Sequence, residues 1–135
     1  MIKKTVTYTD YKGEERTETC YFNLNRVEVL DMQMTTIGGY TEKLQALIDA
    51  KNTSELYRLF KDLVLRSYGV ISEDGKRFEK NDKLREEFEQ TEAYVTIYME
   101  LATNTDKAIE FINGITPDFE NKAKALNDAK AIAEK

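Results

Sequence analysis

Between residues 56 and 64 the chain places Leu56, Leu59, Phe60, Leu63 and Val64 at steps of three and four, and this stripe limits the possible folds more than any other feature. Such spacing gathers all five side chains on one side of an α-helix and scatters them over both faces of a strand. Tyr57 and Leu65 widen the stripe. Asn52, with Glu55 three residues later, forms a capping pair at its start, and Gly69 fits a C-terminal cap. A helix with so broad an apolar side must be covered by other elements.

Helical spacing recurs on both sides of it. Asn25 can cap a helix through Glu28, with Val27, Leu30 and Met34 near one face. Thr36-Ile37-Gly38-Gly39 breaks that helix, and residues 40–50 follow with Leu44, Leu47 and Ile48. Residues 70–81 form a polar connection. Within it Asp74-Gly75 marks a tight turn that allows a small hairpin between Val70-Ile71 and Arg77-Phe78. A helix starting near Asp82 carries Leu84 and Phe88 and continues through Ala93, Tyr94, Ile97, Tyr98 and Leu101, with a bend around Thr91. Thr105 or Asp106 opens another, holding Ala108, Ile109, Phe111 and Ile112; Gly114 ends it and Pro117 stops continuation.

The N-terminal part has a different period. Residues 3–22 read as a β-hairpin: Lys4 to Tyr8 are rich in β-branched and aromatic types. Asp10-Tyr11-Lys12-Gly13 has turn chemistry, with Gly13 free to take positive φ, and residues 16–22 return. An isolated hairpin is marginal in water, so it must pack on the helices or pair with another edge. The expected fold is α+β and mainly α, an N-terminal hairpin followed by about five or six helices in one small domain. That domain covers residues 1–117, with its helical part at 25–117. Residues 118–135 are an Ala/Lys-rich C-terminal helix or tail whose bulkier positions are Phe119, Ala123, Leu126 and Ile132.

Composition narrows the chemistry. The 135 residues contain no histidine, and so lack the commonest general base and metal ligand. The single cysteine, Cys20, excludes an internal disulfide, fits a reducing compartment and reads as a small core hydrophobe. A net charge of −5 without a basic stripe argues against nucleic acid. No stretch approaches the ~20 apolar residues of a membrane span. The polar residues after Met1-Ile2-Lys3-Lys4 give no secretion signal, so a cytoplasmic location is expected. Glu86, Glu87 and Glu89 read as a solvated helix face, and Ser72-Glu73-Asp74-Gly75 lacks the ligand alternation of a calcium loop. No catalytic residue, cofactor or metal is assigned. The aromatic surplus points instead to protein interfaces, where tyrosine is favoured. Tyr57, Tyr68, Tyr94 and Tyr98 on helices, Tyr8 and Tyr21 on the hairpin and Phe78 beside the turn are the candidate interaction residues.

A run of motifs in fixed order carries a resemblance. Residues 60–69 end in Ser67-Tyr68-Gly69. Ser72-Glu73-Asp74-Gly75-Lys76-Arg77-Phe78 follows, then Phe88-Glu89-Gln90-Thr91-Glu92-Ala93-Tyr94, Met99-Glu100-Leu101-Ala102-Thr103, and Phe111-Ile112-Asn113-Gly114-Ile115 before Pro117. Taken together, over residues 56–117, these resemble the tail assembly chaperones of siphophages and their prophages. The hairpin-first layout agrees. The resemblance implies a non-enzymatic protein of the host bacterial cytoplasm, absent from the mature virion. Its implied partners are the tape-measure protein, which it keeps soluble, and tail-tube subunits, which it helps recruit. It further implies homo-oligomerisation or pairing with a frameshift-extended product, this chain resembling the short form. A structural tail or head component, or a small regulatory binding domain, is the alternative expectation.

Overall fold

Two N-terminal strands, β1 (Ile2–Thr9) and β2 (Glu15–Phe22), form the expected hairpin in the computed structural model, which describes residues 1–115. The expected boundary at residue 117 and the segment 118–135 lie outside the described residues. Ile2 stands opposite Phe22 and Thr9 opposite Glu15. This register turns Ile2, Val6, Tyr8, Cys20 and Phe22 towards the core. It leaves Thr5 beside Thr19 and Thr7 beside Thr17 on the outer face, each hydroxyl pair hydrogen-bonded at 3.0 Å. At the turn Gly13 takes φ +86°. The Asp10 carboxylate accepts from the backbone N–H groups of Lys12 and Glu14 and from the Arg16 guanidinium. Those bonds, that from Arg16 first, hold the Asp10 carboxyl below the usual carboxylate range.

Six helices follow among the described residues: α1 (Arg26–Thr35), α2 (Tyr40–Asp49), α3 (Thr53–Ser67), α4 (Asp82–Glu89), α5 (Glu92–Ala102) and α6 (Thr105–Ile115). The expected α+β, mainly α, hairpin-first domain is therefore the observed one. Asn25 caps α1 in a full capping box with Glu28, and Asn52 caps α3. Where one bent helix was expected after Asp82, the chain breaks at Gln90-Thr91. The Thr91 side chain donates to the Phe88 carbonyl at 2.7 Å and accepts from the Tyr94 N–H at 3.2 Å, ending α4 and starting α5.

Two expectations are corrected. Gly69 does not cap α3 in the left-handed region. Tyr68 is already extended, at φ −65° and ψ 138°, and opens strand β3 (Tyr68–Ile71), which pairs with β2 through Phe22–Tyr68 and Tyr21–Gly69. Tyr68 thus lies on a strand, not a helix. The small hairpin does form, with β4 (Phe78–Glu79) opposite Val70 and Ile71, and the sheet order is β1-β2-β3-β4. Glycine is needed at 69 for space: a Cβ there would lie 2.6 Å from the Phe78 ring and 2.9 Å from the Glu79 carbonyl. Second, Gly114 lies inside α6. A Cβ on it would meet the Ile2 side chain, so its absence lets α6 close onto β1.

The face of α1 that carries Val27, Leu30 and Met34 points outward: they are 66%, 47% and 77% exposed, while Met32 is the buried residue of the helix and Val29 is partly buried. A clamp decides the rotation. Lys80 Nζ donates to the Asn23 carbonyl at 2.6 Å and to both Glu28 carboxylate oxygens at 2.8 and 2.7 Å. Glu28 therefore has to face the body of the protein, and the stripe at 27, 30 and 34 turns away.

The core centres on Phe22, whose ring meets Tyr68, Phe88 and Phe111 edge-on at centroid distances of 5.9, 5.8 and 5.2 Å. Tyr68 stacks flat on Phe88 at 3.9 Å. Val64, Ser67, Ala93, Ile97, Leu101 and Ile115 are also fully buried. Sheet and helices are thus joined by aromatic residues from β2, β3, α4 and α6.

Candidate protein-binding surfaces

The α3 stripe is broader than the core requires, and its surplus lines an open groove. Leu56, Tyr57, Phe60 and Leu63 of α3 form one wall; Leu44 of α2, Leu101 and Ala102 of α5, and Ala108, Ile109 and Ile112 of α6 form the remainder, around a volume of about 320 Å³. Apart from Thr53 at one end, every lining residue except Tyr57 is a hydrocarbon or aromatic side chain without a polar atom. Tyr57 and Ile109 are about half exposed on its rim. The Tyr98 hydroxyl donates to the Tyr57 backbone carbonyl at 3.3 Å, fixing α5 against α3 at the groove.

A second surface lies on α1. Val27, Leu30, Met34 and the fully exposed Ile37 follow one another along the outer side of the helix and the turn after it. Beside it opens a cleft of about 540 Å³ between α1, α3 and α4, lined by Glu28, Asp31, Asp62, Asp82, Glu86 and Glu89 against only Arg66 and Arg85 among cations.

The seven candidate interaction residues do not form one site. Tyr57 stands on the groove rim, and Tyr98 supports it. Tyr94 is buried, edge-on to Phe88 at 5.4 Å, and burial pushes its hydroxyl up to about 12. Tyr68 is half-buried in the aromatic core and Phe78 packs over Gly69. Tyr8 and Tyr21 are both partly buried on the hairpin, on opposite faces. Burial and a hydrogen bond to Glu18 push the Tyr8 hydroxyl up to about 12. Sequence reasoning assigned the groove's apolar residues to the core and so missed the groove. The signal was Ile109, which joins Ile112 and Leu56 in a set too wide for one buried stripe.

Cys20 is buried, and desolvation raises its thiol to about 11. Among the described residues no group of acidic or cysteine side chains could hold a metal ion. Glu87 and Glu89 pair with Lys83 and Lys61. Asp74 accepts from Ser72 Oγ and from the Lys76 N–H, which makes it a turn residue. No helix among the described residues is long and apolar enough to cross a membrane.

A small α+β domain whose outward features are an apolar groove and an apolar helix face belongs to the class of protein-binding modules. A family model described as phage tail assembly chaperone matches residues 1–134, and the chain belongs to that family. Its role is accordingly that of a chaperone in phage tail assembly, with proteins of that assembly as partners. Neither a curated protein nor a solved structure matches it.

Proposed function

We propose that this chaperone binds the tape-measure protein of its phage, keeps it soluble and helps recruit tail-tube subunits around it, by binding and not by catalysis. The groove between α2, α3, α5 and α6 carries this reading. An open apolar channel walled by helices suits the apolar stripe of a helical client, entered as anchors at i, i+3, i+4 and i+7. Tyr57 and Ile109 are the contact residues; Tyr98 positions the wall behind them. Covering client stripes one groove at a time prevents their mutual association, and the acidic exterior keeps the complex dispersed. Moderate affinity per copy lets polymerising tube subunits displace the chaperone in the host cytoplasm, so that it is absent from the finished particle.

The test is co-expression with the tape-measure and tube proteins of the same genome, followed by pull-down and a solubility assay. The wild-type chain keeps the tape-measure protein in the soluble fraction and co-purifies with it. Tyr57→Glu combined with Ile109→Glu, two changes at exposed positions, leaves the fold intact and loses the client. If the tape-measure protein precipitates regardless of the chaperone, the reading is wrong. Retention by the double variant would move the site off the groove.

A further inference from the structure

Among the described residues, no element packs over the Val27, Leu30 and Met34 side of α1. Val27, Leu30 and Met34 recur at steps of three and four over a length of about 10 Å of helix, and Ile37, in the turn after it, is 100% exposed. This surplus is not shared with the groove, which α1 does not line. Contiguous apolar side chains left in water on a folded surface mark an interaction site.

Charge beside the stripe specifies what covers it. Asp31 lies four residues after Val27 and three before Met34, so it borders the stripe directly. Glu28 and Thr35, one row further round, open into the cleft shared with α3 and α4. Six carboxylates and two guanidinium groups line that cleft. Four of the six are engaged: Glu28 with Lys80, Asp62 with Arg66, Asp82 with Arg85 and Glu89 with Lys61. Asp31 and Glu86 have no ion-pair partner among the described residues. An apolar strip with an acidic wall along one side is complementary to a helix that carries an apolar stripe flanked by Lys or Arg. A second copy of the chain fits poorly, because each copy has a net charge of −5 and would oppose its acidic wall to another acidic surface.

We infer that the α1 face, with Asp31 and Glu86 beside it, is a second docking surface whose occupant is a cationic amphipathic helix of a partner protein. It lies apart from the groove and does not depend on which client the groove takes. A chaperone with two such faces can hold two helices at once, and joining two weak contacts raises overall affinity without tightening either.

The experiment is a titration of the isotope-labelled full chain, followed by amide chemical shifts. The probes are three synthetic 18-residue peptides: an amphipathic Leu/Lys helix, its Leu/Glu counterpart with the same stripe, and a scrambled Leu/Lys sequence. The Leu/Lys helix is expected to shift amides of residues 26–37 and of the α4 wall, with the Glu and scrambled peptides at least about tenfold weaker. Affinity should fall steeply with salt. Met34→Glu, and separately Asp31→Lys with Glu86→Lys, should each weaken binding about tenfold or more. All are surface changes, and unchanged amide spectra elsewhere verify the fold. Ile109→Glu should leave this titration unaltered, which separates failure here from failure of the groove. Equal binding of the Glu peptide, shifts centred on the groove, or insensitivity to Met34→Glu would each overturn the assignment. So would concentration-dependent self-association abolished by Met34→Glu, since the occupant would then be a second copy.

Discussion

Two residues show how space and solvation, not residue type alone, set the cost of a substitution. At Gly69 the obstacle to a side chain is the Phe78 ring and the Glu79 backbone carbonyl, the latter part of a strand pair and unable to move freely. Gly69→Ala should lower stability by about 1–3 kcal/mol, read from thermal or urea unfolding. If glycine were there for its left-handed freedom, Asn would be tolerated; because the need is for room, Asn should be worse than Ala. Tyr40 presents the opposite case. Its hydroxyl is buried and has no hydrogen-bond partner among the described residues, and burial raises it to about 12. Tyr40→Phe removes an unsatisfied group and should be neutral or stabilising by up to about 1 kcal/mol at neutral pH. The same group acts at high pH. Its proton is held more tightly in the folded chain than in the unfolded one, where the hydroxyl titrates near 10, so its contribution is intact below pH 10 and is lost as pH rises towards 12. Tyr94 adds the same trend. Unfolding scans should therefore show a flat region between about pH 5 and 8, where no histidine titrates, then an alkaline decline that is shallower in Tyr40→Phe. An equal decline in both proteins would assign it to other groups.

At the scale of elements, what was legible in the sequence was whatever depends on neighbours three or four residues away. The α3 stripe, the Asn25–Glu28 and Asn52–Glu55 caps, and the Asp10 to Gly13 turn are all local patterns, and all are present. What distant residues decide was not legible. The rotation of α1 depends on Lys80, whose sequence separation from Glu28 is 52. Likewise, Gly69 enters a strand because Phe22 and Tyr21 offer it an edge. The same reasoning explains the groove: periodicity shows that Leu56, Phe60 and Ile112 are apolar, but their exposure depends on how far apart α3 and α6 stand. The Lys80 clamp can be tested directly. Burial lowers the Lys80 amine while the Glu28 carboxylate opposes that shift, so removing either partner leaves a partly buried group with poorer solvation. Glu28→Ala and Lys80→Ala should each cost about 1–3 kcal/mol, and the pair should couple by more than about 0.5 kcal/mol in a double-mutant cycle. Additivity would mean that α1 is oriented by Met32 and Val29 packing alone.

Across the whole molecule the two halves are held differently. The hairpin, α3, α5 and α6 share the Phe22-centred core, and α6 is tied to the N-terminus twice: the Met1 amino group donates to the Gly114 carbonyl at 2.9 Å, and the Leu24 N–H to the Ile115 carbonyl at 2.7 Å. Of α1 only Met32 is buried, and Gly38 and Gly39 both take positive φ in the link to α2. Between α1, α2 and the body lies a small apolar cavity of about 70 Å³, lined by Val29, Met32, Tyr40 and Leu44 among others. A unit that buries little, encloses unfilled space and carries an unsatisfied hydroxyl opens at lower free energy than a close-packed one. Native-state hydrogen exchange should therefore show α1 and α2 exchanging together through a sub-global opening, while β1, β2 and α5 exchange only on global unfolding. In low denaturant the α1–α2 amides should have the smaller slope, because their opening exposes less surface. Tyr40→Phe should slow exchange in α1–α2 and raise the global value by the same increment, since Tyr40 becomes exposed in both openings. The surface that opens first also carries the exposed apolar stripe. A partner helix seated on α1 should therefore raise protection by one common increment for the α1–α2 opening and for global unfolding, both of which destroy the site, and unchanged α1–α2 protection would show that the helix seats elsewhere.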